Sequence, residues 1–293
     1  MPYPEMPQIA FAVGGQMSKP DEESPALVKA LAKLDIPAAT IPWDEPIDWA
    51  KIPLVVIRTP WDYFSRLPEF LKWVHSVDRA TQLQNPASVI EWNSSKRYLL
   101  DLKRHGVPIV PTKLISAQDH QLDFDLHNSF DSEELVVKPA VSAGAVGVLR
   151  AKRSDPVLHR HIEELITNGD VLIQPLLRSV AEFGEVSIIF FNGVLSHAIR
   201  KQPAAGDYRV QDDYGGTVHN HEPTKQELDV AYRALRAVPV SCAYARVDLV
   251  ATEHGPVIME LELIEPELFL RTSATAADLY ANQLKARLLD LSG

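Results

Sequence analysis

Glu260 and Glu262 are separated by one residue in the run Val257–Leu270, VIMELELIEPELFL. Alternation puts Met259, Leu261 and Leu263 on one face of a strand and the two glutamates on the other. Carboxylates so spaced stand roughly 7 Å apart and repel each other unless a cation or a base lies between them. The preceding run Tyr244–Ala251 carries Arg246 and Asp248, and the link Thr252-Glu253-His254-Gly255 is polar and ends in glycine. The two runs therefore read as an antiparallel hairpin. A turn centred near His254 brings Asp248 opposite Glu260, give or take one residue, with Arg246 on the same face. Hard oxygen ligands of this kind suit magnesium better than zinc, and magnesium in proteins usually accompanies phosphates. An isolated E-x-E is more often a solvated strand face; the paired Asp248 turns the reading toward a metal site. Without a cation the three carboxylates should repel, so replacing Glu260, the central one, is expected to leave the unliganded protein no less stable.

A second group of residues suits phosphate. Lys138 ends the apolar run Glu134–Pro139 (ELVVKP), just before a small-residue loop with Ser142, Gly144 and Gly147. Small residues let backbone N–H groups approach an anion, and a strand-end lysine supplies compact positive charge. The pattern is not the P-loop, since G-x-x-x-x-G-K-[ST] does not occur in the chain. By itself the loop reads as a plain hairpin turn, and Lys96 by itself as an ordinary helix lysine.

The elements that must position these groups follow from periodicity. Ile9–Val13, Ile36–Ile41 and Leu54–Ile57 read as strands, the last apolar enough for the centre of a parallel sheet. Ser24 reads as the N-cap of a helix with Pro25 in its first position, and a second helix spans Pro68–Val77. RTPWDY, at the carboxyl end of the third strand, lies where open α/β sheets bind ligands. A boundary falls near Glu91–Asn93, dividing the chain into an α/β domain, 1–92, and a second domain, 93–293. The second domain opens with a helix capped by Ser94 or Ser95, carrying Lys96 and ended by Gly106. Strands follow at Glu134–Pro139, Val146–Ala151 and Val171–Leu177, then a hairpin over Asn192-Gly193. Helices are expected over Asp155–Thr167, Thr224–Ala237 and Ala274–Leu289.

Composition narrows the class. A 293-residue chain with 46% hydrophobic and 23% charged residues is that of an ordinary globular protein able to bury a sizeable core. The net charge of −10 argues against a nucleic-acid partner. No apolar run reaches the length of a membrane span, and MPYPEMPQ lacks the basic and apolar regions of a signal peptide. The single cysteine, Cys242, excludes an internal disulfide, and with these features predicts a cytoplasmic location.

The order of the parts carries the specificity: a lysine at a helix start, VVKP with its loop, LIQPLL, a G-E-x-S hairpin, the R-V-D strand and the E-x-E strand. This series resembles the ATP-grasp superfamily, in its glutathione-synthetase-like branch, from about Asn93 to the end. The pieces W-x-x-x-K-R-Y-L, S-H-A-I-x-K, R-V-D-L-V and E-x-E-L-x-E-P resemble most the ligases that close the ring of D-cycloserine. The resemblance implies a mixed α/β (α+β) ATP-grasp fold behind a Rossmann-like pre-ATP-grasp domain, with a lid subdomain at about 108–176. It implies that Lys96 and Lys138 hold the α- and β-phosphates of ATP while the loop 142–147 covers the γ-phosphate. Gln174 and the backbone of Leu176 and Leu177 would face adenine, and Glu185 or Glu182 the ribose. Asp248, Glu260 and Glu262 would hold one or two Mg²⁺ ions, and Arg246, Arg200 and Lys138 would neutralise the transferring phosphoryl group. The activity expected is an ATP- and Mg²⁺-dependent carboxylate–amine ligase acting through an acyl phosphate on small amino-acid or peptide-like substrates. Ring closure on one amino-acid derivative is the alternative within that chemistry, and a kinase or a non-catalytic nucleotide-binding module stand outside it. A homodimer is the expected assembly.

Three further features have two readings each. Pro203–Thr217, with QDDYGGT, reads as a closing lid or as a mobile surface loop. His219 and His221 form an H-x-H pair that reads as surface histidines, since no third zinc ligand is signalled nearby. Trp61 and Asp62, beside Arg58, suggest either a substrate wall or packing between the domains.

Overall fold

The computed structural model describes residues 6–15, 20–118, 126, 129–204, 209–210 and 215–291. The first sheet is built from β1 (Ile9–Val13), β2 (Ala38–Pro42), β3 (Leu54–Thr59) and β4 (Gln82–Gln84), with α1 (Glu23–Ala32) and α2 (Leu67–Ala80) between strands. All pairings are parallel, in the order β2-β1-β3-β4. β1 and β3 are central and buried along their whole length, which explains their nearly unbroken apolar sequences. At α1 the cap differs from expectation. The helix starts at Glu23, and the Asp21 carboxylate accepts from the Glu23 and Ser24 amides, both at 3.0 Å. Pro25 falls in the first turn, where a missing N–H leaves no intrahelical bond unmade.

After α3 (Ala87–Asn93) the chain turns into α4 (Tyr98–Arg104). Lys96 thus precedes the helix instead of lying in it, and its amide donates to the Ala140 carbonyl at 2.7 Å. The second sheet, antiparallel in the order β5-β8-β6-β7, consists of β5 (Lys113–Ile115), β6 (Glu134–Pro139), β7 (Leu149–Lys152) and β8 (Val171–Pro175), with α5 (Pro156–Ile166) packed against it. β7 begins three residues later than its apolar run suggests. Positive φ at Gly144 (59°), Ala145 (62°) and Gly147 (73°) turns the chain first, and a Cβ at Gly147 would meet Pro139 Cγ at 2.8 Å.

The third sheet follows the short helix α6 (Ser179–Phe183). It comprises β9 (Glu185–Phe191), β10 (Val194–Gln202), β11 (Thr217–Asn220), β12 (Tyr244–Thr252) and β13 (Gly255–Glu262), antiparallel in the order β11-β10-β9-β12-β13. α7 (Lys225–Ala237) packs against β13, and α8 (Ala276–Asp290) lies against α1. One core unites the first and third sheets: Phe11 and Leu31 join Phe191, Tyr244 and Tyr280, with the rings of Phe191 and Tyr280 stacked at 4.4 Å. Among the described residues no helix is long and apolar enough to cross a membrane.

Candidate active site

The β12–β13 hairpin has the register that the sequence implies to within one residue, and a shift between Asp248 and Leu249 sets the exact pairing. Asp248 pairs with Glu260 and Arg246 with Glu262, and Thr252 faces Gly255 at the turn. β13 is an edge strand, but its outer backbone is not left open. Asn93 donates to the Leu261 carbonyl (2.8 Å) and accepts from the Leu263 amide (2.9 Å), while the Tyr98 hydroxyl accepts from the Leu261 amide (3.0 Å). These contacts fix the strand on which the glutamates stand.

A cavity of about 500 Å³ opens between the second and third sheets. Lys96, Lys138, Ser142, Gly144, Gln174, Leu176, Leu177, Glu185, Arg246, Asp248, Glu260 and Glu262 all line it. Three of the residues assigned by resemblance to the nucleotide and phosphoryl group do not. Gly147 packs against Pro139, Glu182 is exposed on α6, and the Arg200 guanidinium donates to the Phe183 carbonyl at 2.5 Å, away from the cavity. Lys201 lines the cavity instead, 2.5 Å from Glu185 and 3.6 Å from Asp248. The cause is a register shift between Leu195 and His197. A two-residue turn at Asn192-Gly193 run on in simple register would set Arg200 opposite Glu185; the shift sets Lys201 there. Of the Pro203–Thr217 segment, residues 205–208 and 211–214 lie outside the described residues; Arg209 and Val210 line the cavity.

The charges are arranged in two layers. Deep in the cavity, Arg246 grips Asp248 with two nitrogens at 3.0 Å, and the Ser187 hydroxyl donates to Asp248 at 2.5 Å. Nearer the opening, Lys138 Nζ meets Glu260 Oε1 at 3.0 Å, Arg246 also bonds Glu262, and Lys96 Nζ donates to the Ser142 carbonyl at 2.6 Å. The carboxylates therefore do not face one another bare, as the sequence suggested. Burial alone would push Glu260 up, yet Lys138, Lys96 and Arg246 outweigh it and hold the carboxyl at about 2. Glu262 goes the other way, to about 7: burial together with Asp248 and Glu260 overcomes Arg246. Glu265 is pushed up to about 8 by burial and by Glu262, with Lys96, Tyr63 and Arg246 pulling the other way. Lys201 and Glu185 stay a buried pair, 9% and 10% exposed at their side chains.

Gln174 donates through Nε2 to the Thr112 hydroxyl at 2.9 Å, which leaves its oxygen as the acceptor. Trp61 reaches the cavity wall, whereas Asp62 accepts from the Trp43 indole (3.1 Å) and Arg58 is fully buried against Glu23 (2.9 Å). His221 bonds Glu227 at 3.0 Å and His219 bonds Thr217 at 3.1 Å. Burial pushes the Cys242 thiol up to about 12, as expected of a core thiol. Among the described residues no three His, Cys, Asp or Glu side chains are gathered as a ready ligand set. The donor types still fit a hard divalent cation: the Glu260 and Glu262 side chains keep 25% and 27% exposure inside the cavity, against 3% for Asp248.

A parallel α/β unit in front of two antiparallel sheets that close on a lysine- and carboxylate-lined cavity defines an ATP-grasp enzyme. The chain belongs to that superfamily, in its glutathione-synthetase-like branch, and so to the enzymes that form carbon–nitrogen bonds. Residues 9–85 match the family described as "D-cycloserine synthetase DcsG, N-terminal domain", and residues 102–241 match "Prokaryotic glutathione synthetase, ATP-grasp domain". The chain is 35% identical to the cycloserine biosynthesis protein DcsG of Streptomyces lavendulae, over 92% of this chain and 94% of that one. It superposes on a crystal structure of D-cycloserine synthetase DcsG with a TM-score of 0.86 and 32% identity, covering 96% of this chain and 99% of the other. A D-alanine–D-alanine ligase from Bacillus anthracis shares the fold at 18% identity, with a TM-score of 0.69 over 98% and 97% of the two chains.

Proposed function

We propose that this chain is an ATP- and Mg²⁺-dependent cyclo-ligase, which joins a carboxylate to an amine carried by the same amino-acid derivative. The observation that carries this reading is the similarity to DcsG, which runs through the N-terminal unit as well as the ATP-grasp sheets. It reverses the order of preference drawn from the sequence, where joining two separate substrates came first. Opening the ring amide of cycloserine gives 3-aminooxy-D-alanine, which fixes the chemical class of substrate. The substrate carboxylate would take the γ-phosphoryl group of ATP to become an acyl phosphate. The aminooxy nitrogen would then attack the acyl carbon, lose a proton and expel phosphate. ATP supplies the leaving group, and Mg²⁺ would neutralise its phosphates.

The chain's own residues bind and orient. Lys96 and Lys138 hold the α- and β-phosphates, the loop 142–147 covers the γ-phosphate, and Gln174 with the backbone of Leu176 and Leu177 takes the adenine edge. Glu185 takes the ribose, a role its place in the cavity supports over exposed Glu182. Glu260, Glu262 and Asp248 hold the metal, and Arg246 neutralises the phosphoryl group in transit. The division at 92/93 gives residues 1–92 the task of shaping the substrate end, and a reducing cytoplasm suits the lone cysteine.

The test is ADP release with 3-aminooxy-D-alanine as the only substrate besides Mg²⁺-ATP, followed by mass analysis. One ADP per molecule of ring-closed product is expected. Release only on addition of a second amine would make the enzyme an intermolecular ligase, and a stable phosphorylated product would make it a kinase.

A further inference from the structure

We propose that Glu265, which shares the cavity wall with Tyr63, binds the primary ammonium group of an amino-acid substrate there. This extends the cyclo-ligase reading and relies on it only for the identity of the reacting groups. Of the carboxylates that line the cavity, Glu185 has Lys201, Asp248 has Arg246 and Lys201, and Glu260 has Lys138. Glu262 has Arg246, and Glu267 has Arg271. Glu265 alone among them has no cation within ion-pair distance among the described residues; Lys96 and Arg246 act on it only from further off, and Tyr63 lines the cavity with it. Without a cation the neutral acid is the cheaper form of a carboxyl removed from bulk water, and an ammonium group entering through the cavity would stabilise the carboxylate in its place.

Position supports the same partner. An ammonium group on the α-carbon is one atom away from the carboxylate carbon, so its receptor must lie close to the groups that handle the phosphoryl transfer. Glu265 follows Glu262 by three residues, at the point where β13 leaves the sheet. It is also rigidly presented. The carbonyl of the next residue, Pro266, accepts from Arg58 Nη2 at 3.1 Å, and the Leu268 and Leu270 amides both donate to Glu23 at 2.8 Å. The buried Arg58–Glu23 pair thus ties the loop to the first sheet, which also supplies Tyr63 just beyond β3. The Tyr63 hydroxyl, which lines the same cavity, has oxygen lone pairs that can accept from an ammonium N–H. Trp61 and Phe64 add aromatic wall to the same cavity, a surface that tolerates a cation.

The experiment compares two probes by calorimetric titration in the presence of Mg²⁺-ADP: 3-aminooxy-D-alanine and 3-aminooxypropanoate, which lacks the ammonium group. The wild type should prefer the first by about ten- to a hundredfold, the range of a charge-assisted contact. Glu265→Gln should bind both alike and keep the wild-type affinity for the second probe, with Tyr63→Phe intermediate and Glu265→Asp partly restoring the preference. Equal affinities in the wild type, no binding of either probe, or an undiminished preference in a folded Glu265→Gln would overturn the proposal. The two readings fail separately. An ammonium preference that depends on Glu265, without ADP release, sinks ring closure alone; ADP release with a preference blind to Glu265 sinks this inference alone.

Discussion

Lys138 Nζ lies 3.0 Å from Glu260 Oε1, bridging the second and third sheets across the cavity. A strand-end cation suited to phosphate and a strand-face anion suited to metal satisfy each other in the unliganded protein. On the function proposed above, binding of Mg²⁺-nucleotide would part them, giving each the partner its chemistry prefers: phosphate oxygen for the ammonium group, metal for the carboxylate. The pair therefore stores the site in a neutral, low-cost form and couples the two sheets until ligand arrives.

Lys138→Ala should weaken Mg²⁺-ATP binding by about ten- to a hundredfold, the value of one charge-assisted contact of roughly 1.5–3 kcal/mol. Turnover should fall at least as far. Calorimetry on a variant whose circular dichroism matches the wild type checks this; unchanged affinity would mean that the triphosphate lies elsewhere.

Glu260 and Glu262 should respond oppositely to pH in the absence of metal. Glu260 is held at about 2 against an ordinary 4.5, so its stabilising contribution is complete above pH 4.5 and is lost as pH falls toward 2. Glu262 is raised to about 7, so its contribution is complete below pH 4.5 and is lost as pH rises through 7. Glu262→Gln should then melt higher than wild type at pH 8 and the same at pH 4. Glu260→Gln should melt lower at neutral pH, with the gap closing in acid. This moves to Glu262 the tolerance that spacing alone assigned to Glu260, because Lys138 reaches only Glu260. Melting curves in chelator across that pH range decide it, and parallel curves for both variants would remove the electrostatic account.

Lys201→Ala should cost about 3–5 kcal/mol, since it leaves Glu185 buried without its cation. Arg200→Ala, one residue away but outside the cavity and 28% exposed, should cost less than about 1 kcal/mol and leave turnover unchanged. Urea unfolding and ADP release measure both. The reverse ranking would put Arg200 back among the residues that face the nucleotide.

The sequence by itself determined the parts whose signals are local. Alternation and the polar link ending in Gly255 marked the β12–β13 hairpin and put Asp248 opposite Glu260 to within one residue, the exact pairing being set by a register shift between Asp248 and Leu249, and the apolar run Leu54–Ile57 marked a central strand of the parallel sheet. The succession of Lys96, VVKP, R-V-D and E-x-E identified the ATP-grasp family, because each short piece needs its own residue types and only their order is specific. Tertiary structure decided what depends on departures from regular geometry and on groups far apart in the chain. A single extra residue in β10, a choice that costs little locally, exchanged Arg200 for Lys201 at the cavity. Whether a carboxylate meets a cation is settled by contacts as distant as Lys138–Glu260 and Arg58–Glu23, and no periodicity records those. Hence three acidic residues that look alike in sequence end with different protonation tendencies, the neighbours and the burial being properties of the folded chain alone.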